Sequence, residues 1–401
     1  MSDSTVEMLI LPKSKRGRLS KSESESVSDE ENKDKLSDLP DCILLHILSL
    51  VSTKYAVRTC ILSTRWKDLW KCLPSLILLS SDFSTLKIFT KFVAKLFELR
   101  DRSLPLHNFD FNRHGSIEYI VHRRVVDYAL SLYVQRLAMT VEYDYYLLAR
   151  IFSCQSLTSL KLSVHPGRFN TLRTLFPRAS CLNLPALTSL HLDCFTFSGS
   201  GNGIVEPFSA FQKLHSLIID HCTVQDAQTF CISSTTLVDV TIINPFGGFK
   251  KIELSAPSLR RFDFTGSSPS QRLCGSSLSS VKELSIHADM SYYSPDPPLV
   301  VLSWLEELTN IKSLTVSTDT LQVLFLIPDL VNRKLPFLSN LKSLKVEVLQ
   351  LLSFPLQMAM VVAKRKKAAT ESRRERAPIP AGIVDFLLQN SPTAKVETKM
   401  C

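Results

Sequence analysis

Glycine is scarce in this 401-residue chain, with only 11 residues. The patterns G-x-x-x-x-G-K-[ST] and G-x-G-x-x-G do not occur, which excludes the usual Gly-rich loops that cradle a nucleotide phosphate. The catalytic patterns H-E-x-x-H and G-x-S-x-G are also absent. We therefore expect a protein that is not an enzyme and that uses no cofactor.

The chain also lacks the cysteine spacing of a metal site or a disulfide framework. Its 10 cysteines are scattered and none forms a C-x-x-C pair. His191 with Cys194 and His221 with Cys222 are close in sequence, but no further ligand types cluster around them. We expect no metal ion, free thiols and, without a signal peptide, a location in the nucleus, the cytoplasm or both.

Long apolar runs are missing, with one partial exception at residues 348–363. This run is shorter than the roughly 20 residues that a membrane span needs, and it contains Gln350, Ser353, Pro355 and Gln357. We expect a buried strand end and helix there, and no membrane association.

Basic charge is abundant but confined. The formal net charge is +9, and two short tracts, within residues 13–18 and 364–376, account for all of it. A fold that binds nucleic acid would carry basic charge on a folded face, so nucleic acid is disfavoured as a partner. Residues 1–33 are rich in Ser, Glu and Lys and predict a disordered tail with a basic tract that could direct nuclear import.

The richest pattern lies at residues 35–73. Pro40 can begin a first helix, Ser52 or Thr53 can cap a second, and Ser63 or Thr64 can cap a third that carries Trp66 and Trp70. The first helix is apolar over most of its circumference, with one stripe of Ile43, Ile47 and Leu50 and another of Leu44, Leu48 and Val51. So small a domain cannot bury all of that surface, so the pattern predicts a partner.

The same residues resemble an F-box, the module that docks onto the Skp-type adaptor of a cullin–RING ubiquitin ligase. The matching positions are Leu39, Pro40, Ile43, Ile47, Leu48, Leu62, Ser63, Trp66, Leu69 and Trp70. The resemblance is to plant F-box proteins with leucine-rich repeats and implies an F-box at residues 34–80. It implies adaptor contacts from Leu39, Pro40, Ile43, Ile47, Leu48, Ile61, Leu62 and Trp66, with Trp66 at the energetic centre. Leu69 and Trp70 would hold the helices together. The alternative is a helical cap without an adaptor.

Residues 104–350 repeat the unit L-x-x-L-x-L ten times, at intervals of 22 to 30 residues. The ten units begin at Leu106, Val134, Leu157, Leu187, Leu214, Leu237, Leu259, Val281, Ile311 and Leu341. This period is typical of leucine-rich repeats, in which short parallel strands stack and the leucines form a continuous core. An α/β enzyme would need longer helices, and a β-sandwich would need strands every 8–12 residues. The pattern predicts a curved solenoid.

Residues between the leucines point outward and would bind the target protein. The candidates are His191, Asp193, Asp220, Asp263, His287 and Lys345. Residues 351–401 would complete the chain with a basic helix and a C-terminal cap, whose end resembles the FBD region of plant F-box proteins.

The expected fold is thus α/β: a three-helix F-box, a leucine-rich-repeat solenoid and a cap. The expected function is the substrate-recognition subunit of an SCF-type E3 ubiquitin ligase. It would bind a Skp-type adaptor, through it a cullin and a RING protein, and an unknown protein substrate. The alternative is a leucine-rich-repeat scaffold that binds proteins and has no ubiquitin role.

Overall fold

A computed structural model describes residues 36, 38–115, 118–141, 145–164, 174–178, 181–199, 201–247, 249–267, 269, 271–289, 297–330, 338–348 and 379–400. The chain forms two compact units, residues 1–172 and 173–401. The expected N-terminal tail, with its basic tract, and the basic tract at residues 364–376 lie outside the described residues. Within the described part, no helix is long and apolar enough to cross a membrane.

The first unit begins with short helices. Helix α1 spans Asp41–Ser49 and α2 spans Thr53–Arg58, and 3₁₀ turns follow at Thr59–Ile61 and Leu69–Cys72. The expected third α-helix is therefore only this last 3₁₀ turn. Before it, the backbone makes hydrogen bonds to the third preceding residue, from Trp66 N–H to the Ser63 carbonyl oxygen at 3.2 Å and from Lys67 N–H to that of Thr64 at 3.4 Å, rather than to the fourth as an α-helix does.

Four parallel strands form the sheet of the first unit: β1 (Ser75–Leu79), β2 (Asn108–Asn112), β3 (Arg136–Val141) and β4 (Ser159–Val164). Helices connect them: α3 (Leu86–Leu99), α4 (Tyr119–Ser131) and α5 (Tyr145–Ile151). The repeats were expected to begin at residue 104, but the sheet has one strand before that point. This strand, β1, lies within residues 34–80, which were expected to form only the F-box. The free edge of β1 is covered by α2, since the Ile77 backbone N–H donates a hydrogen bond to Thr53 Oγ1 at 2.8 Å.

The main sheet of the second unit contains eight parallel strands within the described residues. In spatial order they are β5 (Ser189–Asp193), β8 (Ser216–Asp220), β11 (Asp239–Ile243), β14 (Arg261–Ser267), β16 (Glu283–Asp289), β17 (Ser313–Ser317), β18 (Ser343–Val348) and β19 (Lys395–Met400). Helices α6 (Pro297–Glu307) and α7 (Thr318–Phe325) lie between the later strands in sequence, and α8 (Ile383–Leu388) precedes β19.

Two smaller parallel sheets complete the early part of this unit. One contains β6 (Thr196–Ser198), β9 (Thr223–Gln225) and β12 (Phe246–Gly247); the other contains β7 (Ile204–Val205), β10 (Thr229–Ser233), β13 (Lys251–Ser255) and β15 (Arg272–Cys274). Here the chain returns between main-sheet strands as further strands rather than as a helix. Their interior is aromatic: Phe197 contacts Phe176, Phe208 and Phe230 at ring-centroid distances of 5.3–5.6 Å.

The predicted leucine units account for the core. Each of the ten units contributes one strand to a main sheet, and all three of its apolar positions are buried. Aligned strands place equivalent residues side by side; Leu190 pairs with Leu217, and Val240 pairs with Phe262. The mixed α/β class is confirmed, with an N-terminal helical segment. Helix α8 and strand β19 lie within the segment expected to form the C-terminal cap.

Candidate partner-binding surfaces

Helix α1 divides its apolar residues between two environments. Leu44 and Leu48 are buried, whereas Ile43 and Ile47 are 44% and 39% exposed. Leu50, which follows the helix, is 69% exposed. One side of α1 therefore packs within the helical segment, and the other presents branched apolar side chains to solvent.

A second apolar surface lies at Ile61 and Leu62, which are 69% and 66% exposed after the first 3₁₀ turn. Arg65, in the chain that follows this turn, contacts the start of α1. Its Nη2 donates to the Leu39 carbonyl oxygen and lies 2.8 Å from Asp41 Oδ1. Leu39, half-buried, and Pro40, exposed, therefore lie beside the turn. The structure thus leaves open six of the eight residues expected to contact an adaptor.

The other two, Leu48 and Trp66, lie inside the helical segment. They are only 3% and 6% exposed, so they support the surface rather than form it. Trp66 was expected at the centre of the contact surface, but its side chain is buried and does not face a partner. Leu69 and Trp70 are buried, as expected, and Trp70 Nε1 donates to the Lys67 carbonyl oxygen at 3.1 Å.

The six expected target-binding residues all lie on the outward side of the main sheet in the second unit. The strand register places His191, Asp263 and Lys345 in one cross-strand row, which also contains Ile218, Thr241, Ser285 and Thr315. Asp193, Asp220 and His287 belong to the next outward row, with Ile243 and Thr265. All six are half-buried, so their polar atoms sit among neighbouring strands.

Asp263 lies at the middle of this face. Burial raises the pKa of its carboxyl group, and the nearby Arg261 opposes that shift. Arg261 itself belongs to a third outward row, where it forms ion pairs with Asp239 at 3.3 Å and Glu283 at 3.0 Å. The sequence pattern did not single out this three-residue ladder, because only the strand register brings the charges together.

His287 joins a second polar cluster. Its Nε2 lies 2.9 Å from Ser285 Oγ and 3.7 Å from Glu347 Oε2, and Glu347 is also paired with Lys345. Ser317 is the small residue beside Glu347 on the intervening strand, which lets the two longer side chains approach above it. Burial lowers the pKa of His287, although Glu347 opposes this, and the hydrogen bond from Lys345 lowers the pKa of Glu347.

Asp193 and Asp220 are direct neighbours on β5 and β8. His221, immediately after β8, places its Nδ1 atom 2.6 Å from Asp220 Oδ1 and 3.8 Å from Asp193 Oδ1. The sequence pairs considered for metal binding were His191 with Cys194 and His221 with Cys222. The register instead groups His221 with two aspartates from successive repeats.

The cysteines beside this cluster are poor nucleophiles. Burial, aided by Asp193, raises the pKa of Cys194 to about 12, and burial raises the pKa of Cys222 to about 12. Because the thiolate is the reactive form of cysteine, both side chains are protonated and unreactive at neutral pH.

Comparison with known proteins gives these surfaces a context. Residues 36–78 match the F-box domain family. An F-box/LRR-repeat protein of Arabidopsis thaliana is 26% identical over 342 residues, which are 79% of this chain and 85% of that protein. An FBD-associated F-box protein of Arabidopsis thaliana is 26% identical over 74% of this chain and 73% of its own length. An F-box/FBD/LRR-repeat protein of the same plant is 26% identical over 73% of this chain and 66% of its own length.

Proposed function

Because this chain is a plant F-box protein of the F-box/LRR/FBD kind, we propose that it is the substrate-recognition subunit of an SCF-type cullin–RING E3 ubiquitin ligase. Residues 36–78 bind a Skp-type adaptor, and the adaptor connects the chain to a cullin and a RING protein. The chain itself is non-catalytic. Its task is to hold a target protein near the ubiquitin-conjugating machinery, so that transfer becomes effectively intramolecular.

The observation that carries this proposal is the apolar surface on the helical segment. Ile43, Ile47, Leu50, Ile61 and Leu62 are all exposed, although the segment has its own buried core. Burying one such side chain against a partner contributes about 1.5–3 kcal/mol, so these residues offer a substantial share of a stable interface. A segment that served only the fold would turn fewer of them to water.

The outward face of the second unit is the proposed target-binding surface. Its rows mix carboxylates, imidazoles and a lysine, at Asp193, Asp220, Asp263, His191, His287 and Lys345. We propose that the repeats form a leucine-rich-repeat solenoid that uses these rows to select the protein to be ubiquitinated. We place the complex in the nucleus, the cytoplasm or both.

One contact favours the second candidate, a leucine-rich-repeat scaffold that binds proteins without a ubiquitin role. The hydrogen bond from Ile77 to Thr53 covers the edge of β1, so the helical segment already has a structural task as the cap of the first sheet. A cap of this kind would need no adaptor.

Co-expression of the full chain with a plant Skp-type adaptor, followed by size-exclusion chromatography, separates the two candidates. We expect a one-to-one complex for the unmodified chain and its loss in Ile47→Asp, because a carboxylate in an apolar interface is costly. Ile120→Asp is the matched control, since Ile120 is an exposed isoleucine on α4 in the same unit. A soluble chain that elutes without adaptor would leave the scaffold as the function. An Ile47→Asp variant that keeps the adaptor would show instead that the exposed side of α1 is not the contact surface.

A further inference from the structure

Strand β19 is the outermost strand of the main sheet in the second unit, and its outer edge is open within the described residues. It pairs with β18 over its whole length without a bulge, from Lys395 opposite Ser343 to Met400 opposite Val348. All six of its residues are exposed, so no described element covers its faces or its edge. An open strand edge without a proline or a bulge is a ready template for pairing with another strand.

The pairing with β18 determines which backbone groups of β19 point away from the sheet. The Lys395 backbone N–H donates to the Lys342 carbonyl oxygen at 2.9 Å and therefore points inward. Because backbone groups alternate in direction along a strand, those of Val396, Thr398 and Met400 point toward the open edge. A strand that docks on this edge must exchange its hydrogen bonds with these three residues.

The sequence of β19 is complementary to itself when a second copy approaches in the antiparallel direction. With the pair centred on Thr398, each Val396 lies opposite Met400 of the second copy, and their outward backbone groups exchange hydrogen bonds in both directions. Each Glu397 then lies opposite Lys399 of the second copy, which places opposite charges on both sides of the centre. Backbone direction, charge and apolar contact therefore agree on one register.

The same charges disfavour the competing register, which is centred on Glu397. There the two glutamates would face each other and Lys395 would oppose Lys399, so every charged pair would be repulsive. Lysines on an edge strand commonly discourage pairing, but here Glu397 lies between them and makes one register favourable. On the β18 side, Lys345 is paired with Glu347 of its own strand rather than with Glu397.

We propose that β19 is the docking strand for a second copy of this chain, and that the two copies join edge to edge, in antiparallel orientation, about a two-fold axis at Thr398. A second copy is the occupant because the strand complements its own sequence, and a two-fold axis satisfies both copies at once. A single pair of strands buries less surface than a standard interface, so the dimer is weak and depends on protein concentration. It uses none of the apolar residues assigned to the adaptor and does not depend on the proposed function.

Sedimentation velocity of the full chain over a range of protein concentrations, in a reducing buffer, tests the dimer. Glu397→Lys and Lys399→Glu should each dimerise about tenfold or more weaker than the unmodified chain, because attractive cross-strand pairs become repulsive. An equal mixture of the two variants should restore the dimer, since the lysines of one then face the glutamates of the other. Glu306→Lys, at an exposed position on α6, is the matched control and should dimerise as the unmodified chain does.

Thr398→Pro tests the backbone contact without changing a charge. The N–H of this residue points to the open edge, so proline removes a hydrogen bond of the dimer and none of those to β18. We expect a monomer, with circular dichroism to verify that it is folded. The proposal is overturned if the unmodified chain is monomeric at the highest concentration, or if the two charge variants stay monomeric when mixed. It is also overturned if folded Thr398→Pro dimerises as the unmodified chain does, which would place the contact elsewhere, such as the exposed side of α1.

Discussion

The guanidinium group of Arg100 donates two hydrogen bonds to the carbonyl oxygen of Leu73, from Nε at 3.2 Å and from Nη2 at 2.9 Å. Arg100 follows α3 and is almost completely buried, whereas Leu73 ends the helical segment before β1. Other donors of the same group reach the carbonyl oxygens of Asp101, Leu104 and Pro105. One side chain thus satisfies four backbone acceptors where the F-box segment meets the first sheet.

Replacing Arg100 by Met should destabilise the chain by about 2–4 kcal/mol, because several buried carbonyl oxygens would lose their donors. Arg100→Lys should recover only part of this loss, since an ammonium group cannot reproduce the planar fork of the guanidinium. Arg123→Met, at an exposed position on α4, should stay within about 0.5 kcal/mol of the unmodified chain. Denaturant unfolding measures all three, and similar values for Arg100→Met and Arg123→Met would contradict the structural role.

Leu48 and Ile47 should respond oppositely to alanine substitution, although they are adjacent in α1. Leu48→Ala should cost about 2–5 kcal/mol of stability, because it opens a cavity in the buried core of the helical segment. Ile47→Ala should leave stability almost unchanged and weaken adaptor binding, since its side chain faces solvent. Thermal unfolding and an adaptor pull-down on the same two preparations give the comparison. If Leu48→Ala folds as stably as Ile47→Ala, the assignment of the two faces of α1 is wrong.

His287 should make the folded state sensitive to mild acid. Because its pKa is lowered from the ordinary value of 6.5, the folded chain favours the neutral imidazole, whereas the unfolded chain accepts a proton readily. Stability is therefore present above that ordinary value and is lost as pH falls through and below it. His287→Gln should flatten this dependence between about pH 7.5 and pH 5.5. Urea midpoints at the two pH values, for the variant and the unmodified chain, measure the difference in slope; equal slopes would rule out the histidine as the cause.

Asp263 should change the pH dependence of stability in the opposite direction to His287. Its pKa is raised from the ordinary value of 3.8, so the ionised carboxylate is less favourable in the folded chain than in the unfolded chain. The contribution of Asp263 to stability is therefore best in acid and declines as pH rises through the raised pKa. Asp263→Asn should raise stability at neutral pH, with a difference that shrinks toward pH 4 and below.

Asp239→Asn serves as the comparison for Asp263→Asn, because it removes a charge that is paired. Asp239 forms an ion pair with Arg261 at 3.3 Å and its side chain is 37% exposed, so its replacement should lower stability slightly, by about 0–1 kcal/mol. Thermal unfolding at neutral pH compares the two variants. A loss of stability in Asp263→Asn would show that the hydrogen bond from Thr241 and the attraction to the charge of Arg261 outweigh the burial of its own charge.

Leucine spacing predicted the strands because it reports directly on which residues alternate toward the core. All ten units became strands, whereas β6, β9 and β12 carry too few residues to show a period of two. The position of Leu48 was harder to predict, because α1 is apolar over most of its circumference and periodicity alone cannot tell a buried stripe from an exposed one. His221 was missed as a partner of Asp193 because the two residues lie on successive repeats, far apart in the chain, and meet only through the strand register.

The hydrogen bond between Ile77 and Thr53 limits how this protein can be divided. Residues 75–78 belong at once to the matched F-box region and to the first parallel sheet. A fragment that stops after the F-box would carry β1 without β2 beside it, and one that begins after the F-box would expose the edge of β2 to pairing with other chains. A chimera that exchanges the F-box end with a relative should therefore place its junction after Asn112, so that the first two strands move with the helices.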